Sequence, residues 1–165
     1  MSRTAKTKGL IALAVGAAAV VAGVPALAGA ATTDAHRAAP PALTIDFTGS
    51  NSLAGAANAV GAGFGGTAAA KDASGAQVAT VYDQCTKDAV AVDSVTAFCA
   101  ADLVFTGGDQ VTFTAVVPID NPLTAKYPKQ FDGVITGGTG AYQGLTGAVH
   151  LTNTAAGVYS LGWDA

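Results

Sequence analysis

Two aspartates lie in strand-like stretches of the sequence, where a carboxyl group can be positioned for acid–base chemistry. Asp46 lies in LTIDFTG (43–49), and Asp83 lies two residues before Cys85 in AQVATVYDQC (76–85). Residues two apart on a strand share a face, so Asp83 points inward if Cys85 does. A desolvated aspartate has a raised pKa and can act as a general acid. The alternative is that both carboxylates lie at the surface or are held in structural hydrogen bonds.

Three aromatic residues are candidates for ligand contacts. Tyr159 and Trp163 share one face of VYSLGWD (158–164), and Tyr82 directly precedes Asp83. Alternate residues of a strand point to the same side. The face that carries Tyr159 and Trp163 therefore lines a pocket, forms a subunit contact or belongs to the core.

The sequence offers no set of residues for a metal site or a nucleophilic triad. Its two histidines, His36 and His150, are isolated, and no Cys-x-x-Cys is present. A zinc site needs three or four ligands at close spacing. His150 alternates with Val149 and Leu151, so it faces solvent if they face the core. We expect neither a metal nor a cofactor.

The glycine-rich stretch ITGGTGAYQG (135–144) looks at first like a phosphate-binding loop. Such a loop requires a helix directly after it, because the helix N-terminus holds the phosphates. Here the next residues alternate as a strand does, and Leu145 stands where a Walker motif has lysine. The sequence therefore argues against nucleotide binding.

The first thirty residues have the parts of a secretory signal peptide. A basic start is followed by an apolar run over 10–24 and small residues suited to cleavage after Ala28 or Ala30. The alternative is a membrane anchor, but the run is shorter than the roughly 20 residues that span a bilayer. We predict a leader over 1–30, a disordered tail over 31–41 and a secreted, extracellular protein. Once the leader is cleaved, we expect no membrane association.

Charge excludes one class of partner. Beyond residue 30 the chain has five basic residues against eleven aspartates, a net charge of −6, and it contains no glutamate. Such a surface repels phosphate backbones. We therefore expect no nucleic-acid partner.

The two cysteines, Cys85 and Cys99, form an even pair. In an exported protein such a pair indicates a disulfide, and the alternative is two free buried thiols. The bond closes a loop of about 15 residues, which stabilises by roughly 3 kcal/mol in the chain-entropy model.

Short β-branched and aromatic runs, separated by Gly, Asn, Asp and Pro, cover residues 42–165 and predict one all-β domain. We expect an eight-stranded antiparallel barrel, which has no exposed sheet edges; a sandwich is the alternative. The run from Pro118 to Gln130 contains three prolines and is expected to be a surface connection. The predicted strands are 43–49, 63–72, 76–85, 94–105, 111–117, 131–136, 147–153 and 158–164.

The segment ITGGTGAYQGLTGAVHL (135–151) resembles the glycine-rich stretch of plant allene oxide cyclases and dirigent proteins. The matching residues are Gly137, Gly138, Thr139, Gly140, Tyr142, Gly144 and Gly147. The hairpins AAAKDASGAQVATVYDQC (68–85) and LVFTGGDQVTFTAVV (103–117) are also similar to those families. The resemblance implies an eight-stranded barrel with an apolar pocket, often trimeric.

Glycines at 137, 138, 140 and 144 also fit a barrel corner, where positive φ and close backbone approach are needed. We expect Tyr142 to pack its ring over this corner. The sequence departs from both families: it lacks the cyclase glutamate, and beyond the leader its only arginine is Arg37, in the predicted tail.

These observations lead to a secreted barrel that binds a small apolar molecule. One hypothesis is an isomerase or cyclase that steers the conformation of its substrate, with Asp46 or Asp83 as the polar group. The alternatives are a carrier without chemistry and a structural barrel filled by its own side chains. The many Ala and Gly residues in the strands favour a roomy interior. A homo-oligomer, dimer or trimer, is a further expectation.

Overall fold

A computed structural model describes residues 39–164. The predicted leader and most of the predicted tail lie outside the described residues. Eight antiparallel strands form a closed barrel in chain order, which confirms the predicted all-β class and strand number. The strands are β1 (Leu43–Asp46), β2 (Gly63–Lys71), β3 (Gln77–Val90), β4 (Ser94–Phe105), β5 (Gln110–Asp120), β6 (Lys129–Gly138), β7 (Ala148–Ala155) and β8 (Val158–Asp164).

Alternation of small or apolar residues with polar ones explains why these segments are strands. In β1 the buried residues Leu43 and Ile45 alternate with exposed Thr44 and Asp46. Because side chains alternate with a period of two, one face of each strand lies inside the barrel and the other faces solvent. Two short 3-10 turns, Leu53–Gly55 and Gly140–Tyr142, complete the regular structure.

The barrel interior is packed at one end, which we call the filled end. It lies where β4 and β6 finish and where β5 and β7 begin. The glycine-rich segment 137–147 crosses this end. Leu145, only 3% exposed, reaches from it into the core, and Tyr142 packs on Phe105 with ring centroids 4.9 Å apart. The largest fully buried residues there are Leu103, Val111 and Val149.

Two of the segment's glycines show why side chains are excluded. Gly140 has φ of +57°, and a Cβ at this position would overlap the carboxylate of Asp109. A Cβ at Gly138 would overlap the carbonyl of Tyr142. Gly144 also has positive φ, whereas Gly137 is an ordinary strand residue near the end of β6.

The connection predicted over Pro118–Gln130 is wrong at both ends, because β6 already begins at Lys129. β5 continues through Pro118 to Asp120, and Pro118 pairs with Thr96 of β4. The pairing of β5 with β6 ends at Ala115. Beyond Ala115, β5 is therefore not paired with β6. A proline, which has no backbone N–H, interrupts no hydrogen bonds between these two strands there.

The cysteines form the predicted disulfide. Cys85 of β3 and Cys99 of β4 are directly opposite in the sheet, with Cα atoms 4.0 Å apart. Cys85 is 2% exposed. Because residues two apart share a face, the inward position of Cys85 also turns Asp83 toward the interior.

No helix in the range 39–164 is long and apolar enough to cross a membrane.

A histidine holds three strands together on the outer surface. His150 of β7 contacts Asp132 of β6 through Nδ1 at 2.7 Å and Asp164 of β8 through Nε2 at 2.9 Å. Hydrogen bonds to Asp132 and then to Asp164 raise the pKa of His150 above its usual 6.5. The protonated imidazole donates to both carboxylates, as its two N–H groups allow.

This arrangement predicts a pH-dependent contribution to stability. Because the folded-state pKa is raised, the contribution is fully present below the unfolded value and is lost as pH rises through the folded one. We expect His150→Gln to lower the melting temperature more at about pH 5.5 than at about pH 8.5. Thermal unfolding of both proteins across this range measures the difference. An equal loss at every pH would contradict the role.

Candidate functional site

A cavity of about 520 Å³ occupies the other end of the barrel, which we call the open end. It lies where β1, β3, β5 and β7 finish and where the even-numbered strands begin. The connections that follow β1, β5 and β7 contribute to its rim. The main residues of its wall are Ile45, Phe47, Leu53, Phe64, Val81, Asp83, Cys85, Cys99, Ala101, Phe113, Ala115, Val117, Tyr127, Phe131, Leu151, Asn153, Tyr159 and Leu161.

Small inward side chains leave room for this cavity. On β4 and β5 the wall includes the small residues Ala101 and Ala115 beside the larger Phe113 and Val117, whereas the filled end has Leu103 and Val111 on the same strands. An eight-stranded barrel is only wide enough to be filled by its side chains or to hold one small molecule. Replacing branched residues by alanine at one end therefore opens space there.

Aromatic rings dominate the rest of the wall. Tyr159 packs edge-on against Phe47, with centroids 6.2 Å apart, and against Phe131, at 6.3 Å. Phe64, Phe113 and Tyr127 complete the aromatic lining. The wall is thus preformed by contacts among its own rings.

Asp83 is the half-buried carboxyl group of this wall. Its Oδ1 accepts a hydrogen bond of 2.6 Å from the Gly66 N–H. Its Oδ2 lies 3.7 Å from Cys85 Sγ, a disulfide sulfur with no hydrogen to donate. Burial raises the pKa of Asp83, and the bond from Gly66 opposes this in part. The carboxyl is therefore the group of the cavity best suited to exchange a proton.

Tyr159 brings a hydroxyl group to the same space. Burial, followed by the charges of Tyr127 and Asp83, raises the pKa of Tyr159 to about 12. The hydroxyl thus stays neutral at physiological pH. Within the described residues it has no hydrogen-bond partner, so it can donate to a ligand.

The remaining polar groups of the wall are partly used by the protein. Asn153 donates both amide hydrogens, to Ala155 O at 2.6 Å and Val158 O at 2.8 Å, which leaves its Oδ1 as an acceptor. Asp120 forms an ion pair with Lys129.

A segment between β1 and β2 covers one side of the cavity. Leu53 and Ala54 belong to the wall. Ser52 fixes the segment to β2 through two bonds: its hydroxyl donates to Gly65 O at 3.0 Å and accepts from Gly65 N at 2.9 Å. Farther along, buried Lys87 donates to Ala57 O at 2.9 Å. The cover is therefore held by backbone and side-chain bonds together.

The structure brings two of the five sequence candidates into the cavity wall, Asp83 and Tyr159. Asp46 lies on the outer face, where its carboxylate accepts from Thr48 N at 2.8 Å and Oγ1 at 2.5 Å. These bonds lower its pKa. Asp46 is thus an exposed turn-forming residue, because its neighbour Ile45 takes the inward position.

The other two aromatic candidates also lie away from the wall. Tyr82 is 51% exposed on the outer face, since it directly precedes inward Asp83. Trp163 lies opposite Val149 of the filled end; its ring meets the wall residue Phe113 at 6.0 Å, and its Nε1 donates to Pro41 O at 2.9 Å. It thus joins β8 to the chain that enters β1.

Sequence reasoning missed most of the aromatic wall. The inward position of Phe47 could have been predicted from the sequence, because Phe47 continues the alternation of Leu43 and Ile45. The position of Tyr127 in the wall could not be predicted, since this residue lies in the proline-containing connection after β5. Within 39–164 no group of three or more His, Cys, Asp or Glu residues is arranged to hold a metal ion.

Comparisons with known proteins support the fold and leave the family open. No protein-family model matches the sequence. A search of the curated proteins finds no match. Among solved structures, the chain is similar to one described as pyocyanin demethylase, with a TM-score of 0.51 and 20% identity. The match covers 73% of this chain and 98% of that one. The likeness shows a shared barrel fold.

The raised pKa of Asp83 predicts how the protein responds to removal of its charge. Because the folded state holds this proton more tightly than the unfolded chain, stability falls as pH rises from the ordinary value of 3.8 through the raised one. We expect Asp83→Asn, which keeps an acceptor for Gly66, to raise the melting temperature at neutral pH. In this variant, the melting temperature should also fall less steeply as the pH rises through the acidic range.

Asp88→Asn is the matched control, because Asp88 is exposed on the same strand and its loss changes the net charge equally. A lower melting temperature for Asp83→Asn at neutral pH, with Asp88→Asn unchanged, would contradict a destabilising buried charge.

Proposed function

We propose that this protein binds a small, largely apolar molecule inside its barrel. The observation that carries the proposal is the cavity of about 520 Å³ at the open end. Ligand pockets have volumes of about 300 to 1,000 Å³, with mostly apolar walls and a few placed polar groups. Asp83 and Tyr159 are such groups. A structural barrel filled by its own side chains would not have this space.

An isomerase or cyclase is the finer form of the proposal. Such an enzyme needs a shaped pocket that fixes the conformation of its substrate and a group that exchanges a proton. Asp83, half-buried and with a raised pKa, meets the second need. This residue favours chemistry over a passive carrier, because perturbed carboxyl groups in clefts are typical of active sites.

The resemblance to allene oxide cyclases and dirigent proteins supports this finer form. Its most specific part is the glycine segment 137–147, which closes the filled end and does not line the cavity, whereas the hairpins 68–85 and 103–117 contribute to the wall. The solved structure described as a demethylase shares the barrel, yet one fold hosts many reactions. Neither likeness therefore specifies the reaction.

Export is the second part of the proposal. The sequence of residues 1–30 supports it, and so does the disulfide between Cys85 and Cys99. Disulfides persist in oxidising compartments and are rare in the cytosol.

A homo-oligomer is supported by apolar side chains on the outer face. Phe98 and Val116 are directly opposite on β4 and β5, and they are 46% and 55% exposed. Val134, on the next strand, is 62% exposed. We expect sedimentation velocity to show a species larger than one chain. A monomer at all concentrations would contradict this assembly.

The binding proposal is tested by placing a phenylalanine at two neighbouring positions of β4, one inside the cavity and one outside the barrel. Ala101 belongs to the cavity wall, whereas Ala100 is exposed on the outer face. We expect Ala101→Phe to weaken binding of the neutral dye Nile red by about tenfold or more, a loss of about 1.4 kcal/mol, because its ring occupies the ligand space.

Ala100→Phe adds the same ring outside the barrel and should bind Nile red as the unmodified protein does. Fluorescence titration measures binding, and circular dichroism checks that both variants are folded. Absence of Nile red binding to the unmodified protein, or equal binding by both variants, would overturn the proposal.

A further inference from the structure

The charged groups of the cavity wall are all of one sign. The wall contains the carboxyl groups of Asp83 and Asp120 and no Lys, Arg or His. Lys129 is held by Asp120, and Lys87 donates to Ala57 O behind the cover segment. No Lys, Arg or His side chain of residues 39–164 therefore belongs to the wall itself.

Burying an anion in this space would be costly. A charge moved into an apolar environment is tolerated only when a partner of opposite sign is present. Here Asp83 lines the space, and its charge is one of the causes, after burial and Tyr127, that raise the pKa of Tyr159. A ligand carboxylate would meet a like charge and no counterion.

Hydrogen-bond acceptors are also left available in the wall. Asp83 Oδ2 lies 3.7 Å from a disulfide sulfur that has no hydrogen to donate, and Asn153 has used both of its amide hydrogens. A ligand with N–H groups or a protonated amine would satisfy these oxygens. Such charge-assisted bonds are roughly twice as strong as neutral ones.

The wall also favours ligands that contain an aromatic ring. Six of its side chains are aromatic: Phe47, Phe64, Phe113, Tyr127, Phe131 and Tyr159. Aromatic pairs are stabilised by ring contacts beyond the burial of their area. A cation near such ring faces is stabilised by the negative potential of the face. A saturated chain of the same area gains neither.

We infer that the ligand is an aromatic molecule that carries a hydrogen-bond donor or a positive charge, directed at Asp83, and that anionic lipids are excluded. This inference rests on the proposed binding function and specifies its ligand class. Asp83 then acts first as the acceptor that orients the ligand. A fatty acid, which is an anion without a ring, is therefore disfavoured as a ligand of this chain.

Three naphthalene compounds that differ in charge test the inference: naphthalen-1-ylmethylamine (cation), naphthalen-1-ylmethanol (neutral) and 1-naphthoate (anion). Displacement of Nile red at neutral pH measures their affinities. We expect the amine to bind about tenfold or more tightly than the naphthoate, with the alcohol between them. Decylamine, a cation without a ring, should bind more weakly than the aromatic amine.

Asp83→Asn should reduce the amine-to-naphthoate ratio to about twofold or less, and Asp88→Asn should leave it unchanged. Equal or tighter binding of naphthoate in the unmodified protein overturns the inference and leaves the binding function intact. Equal binding of decylamine overturns the aromatic requirement. If neither Nile red nor any of these compounds binds, the proposed function fails as well.

Discussion

The closure of the sheet between β1 and β8 is the constraint on which the rest of the structure depends. β1 has four residues, yet it pairs with β8 at four positions and with β2 at two. This short strand removes the two sheet edges that would otherwise remain. Closure also gives the eight strands one shared interior, so that alternate side chains of all of them must fill the same volume.

That volume is filled unevenly, and the unevenness creates the site. At one end, branched residues and Leu145 are almost completely buried. At the other end, Ala101 and Ala115 leave room for a cavity, whose wall includes ring contacts around Tyr159.

The position of Asp83 shows how pairing between strands sets chemistry. The disulfide lies in the pairing of β3 with β4, and its inward position turns Asp83 inward two residues earlier. Gly66 of β2 lies opposite and supplies the N–H that holds one carboxylate oxygen. The second oxygen lies 3.7 Å from Cys85 Sγ. A carboxyl group is thus kept in an apolar wall by its neighbours on both sides.

Local pattern alone determined the class of this protein and most of its strands. Ser94–Phe105 and Val158–Asp164 have the predicted bounds, because alternation and turn residues act within a few positions. The outward position of Asp46 was also readable, since it alternates with buried Leu43 and Ile45. The extension of β5 through Pro118 could not be predicted from the sequence, because it depends on where pairing with β6 ends.

Only the tertiary structure decided which end of the barrel is open and which residues meet there. Phe47, Tyr127 and Tyr159 are far apart in the chain, and closure of the sheet brings them to one wall. Side-chain period specifies a face of a strand but not a level along the barrel axis. The level is set by register between strands, which is a long-range property. The sequence therefore determined the barrel, and strand register decided the site.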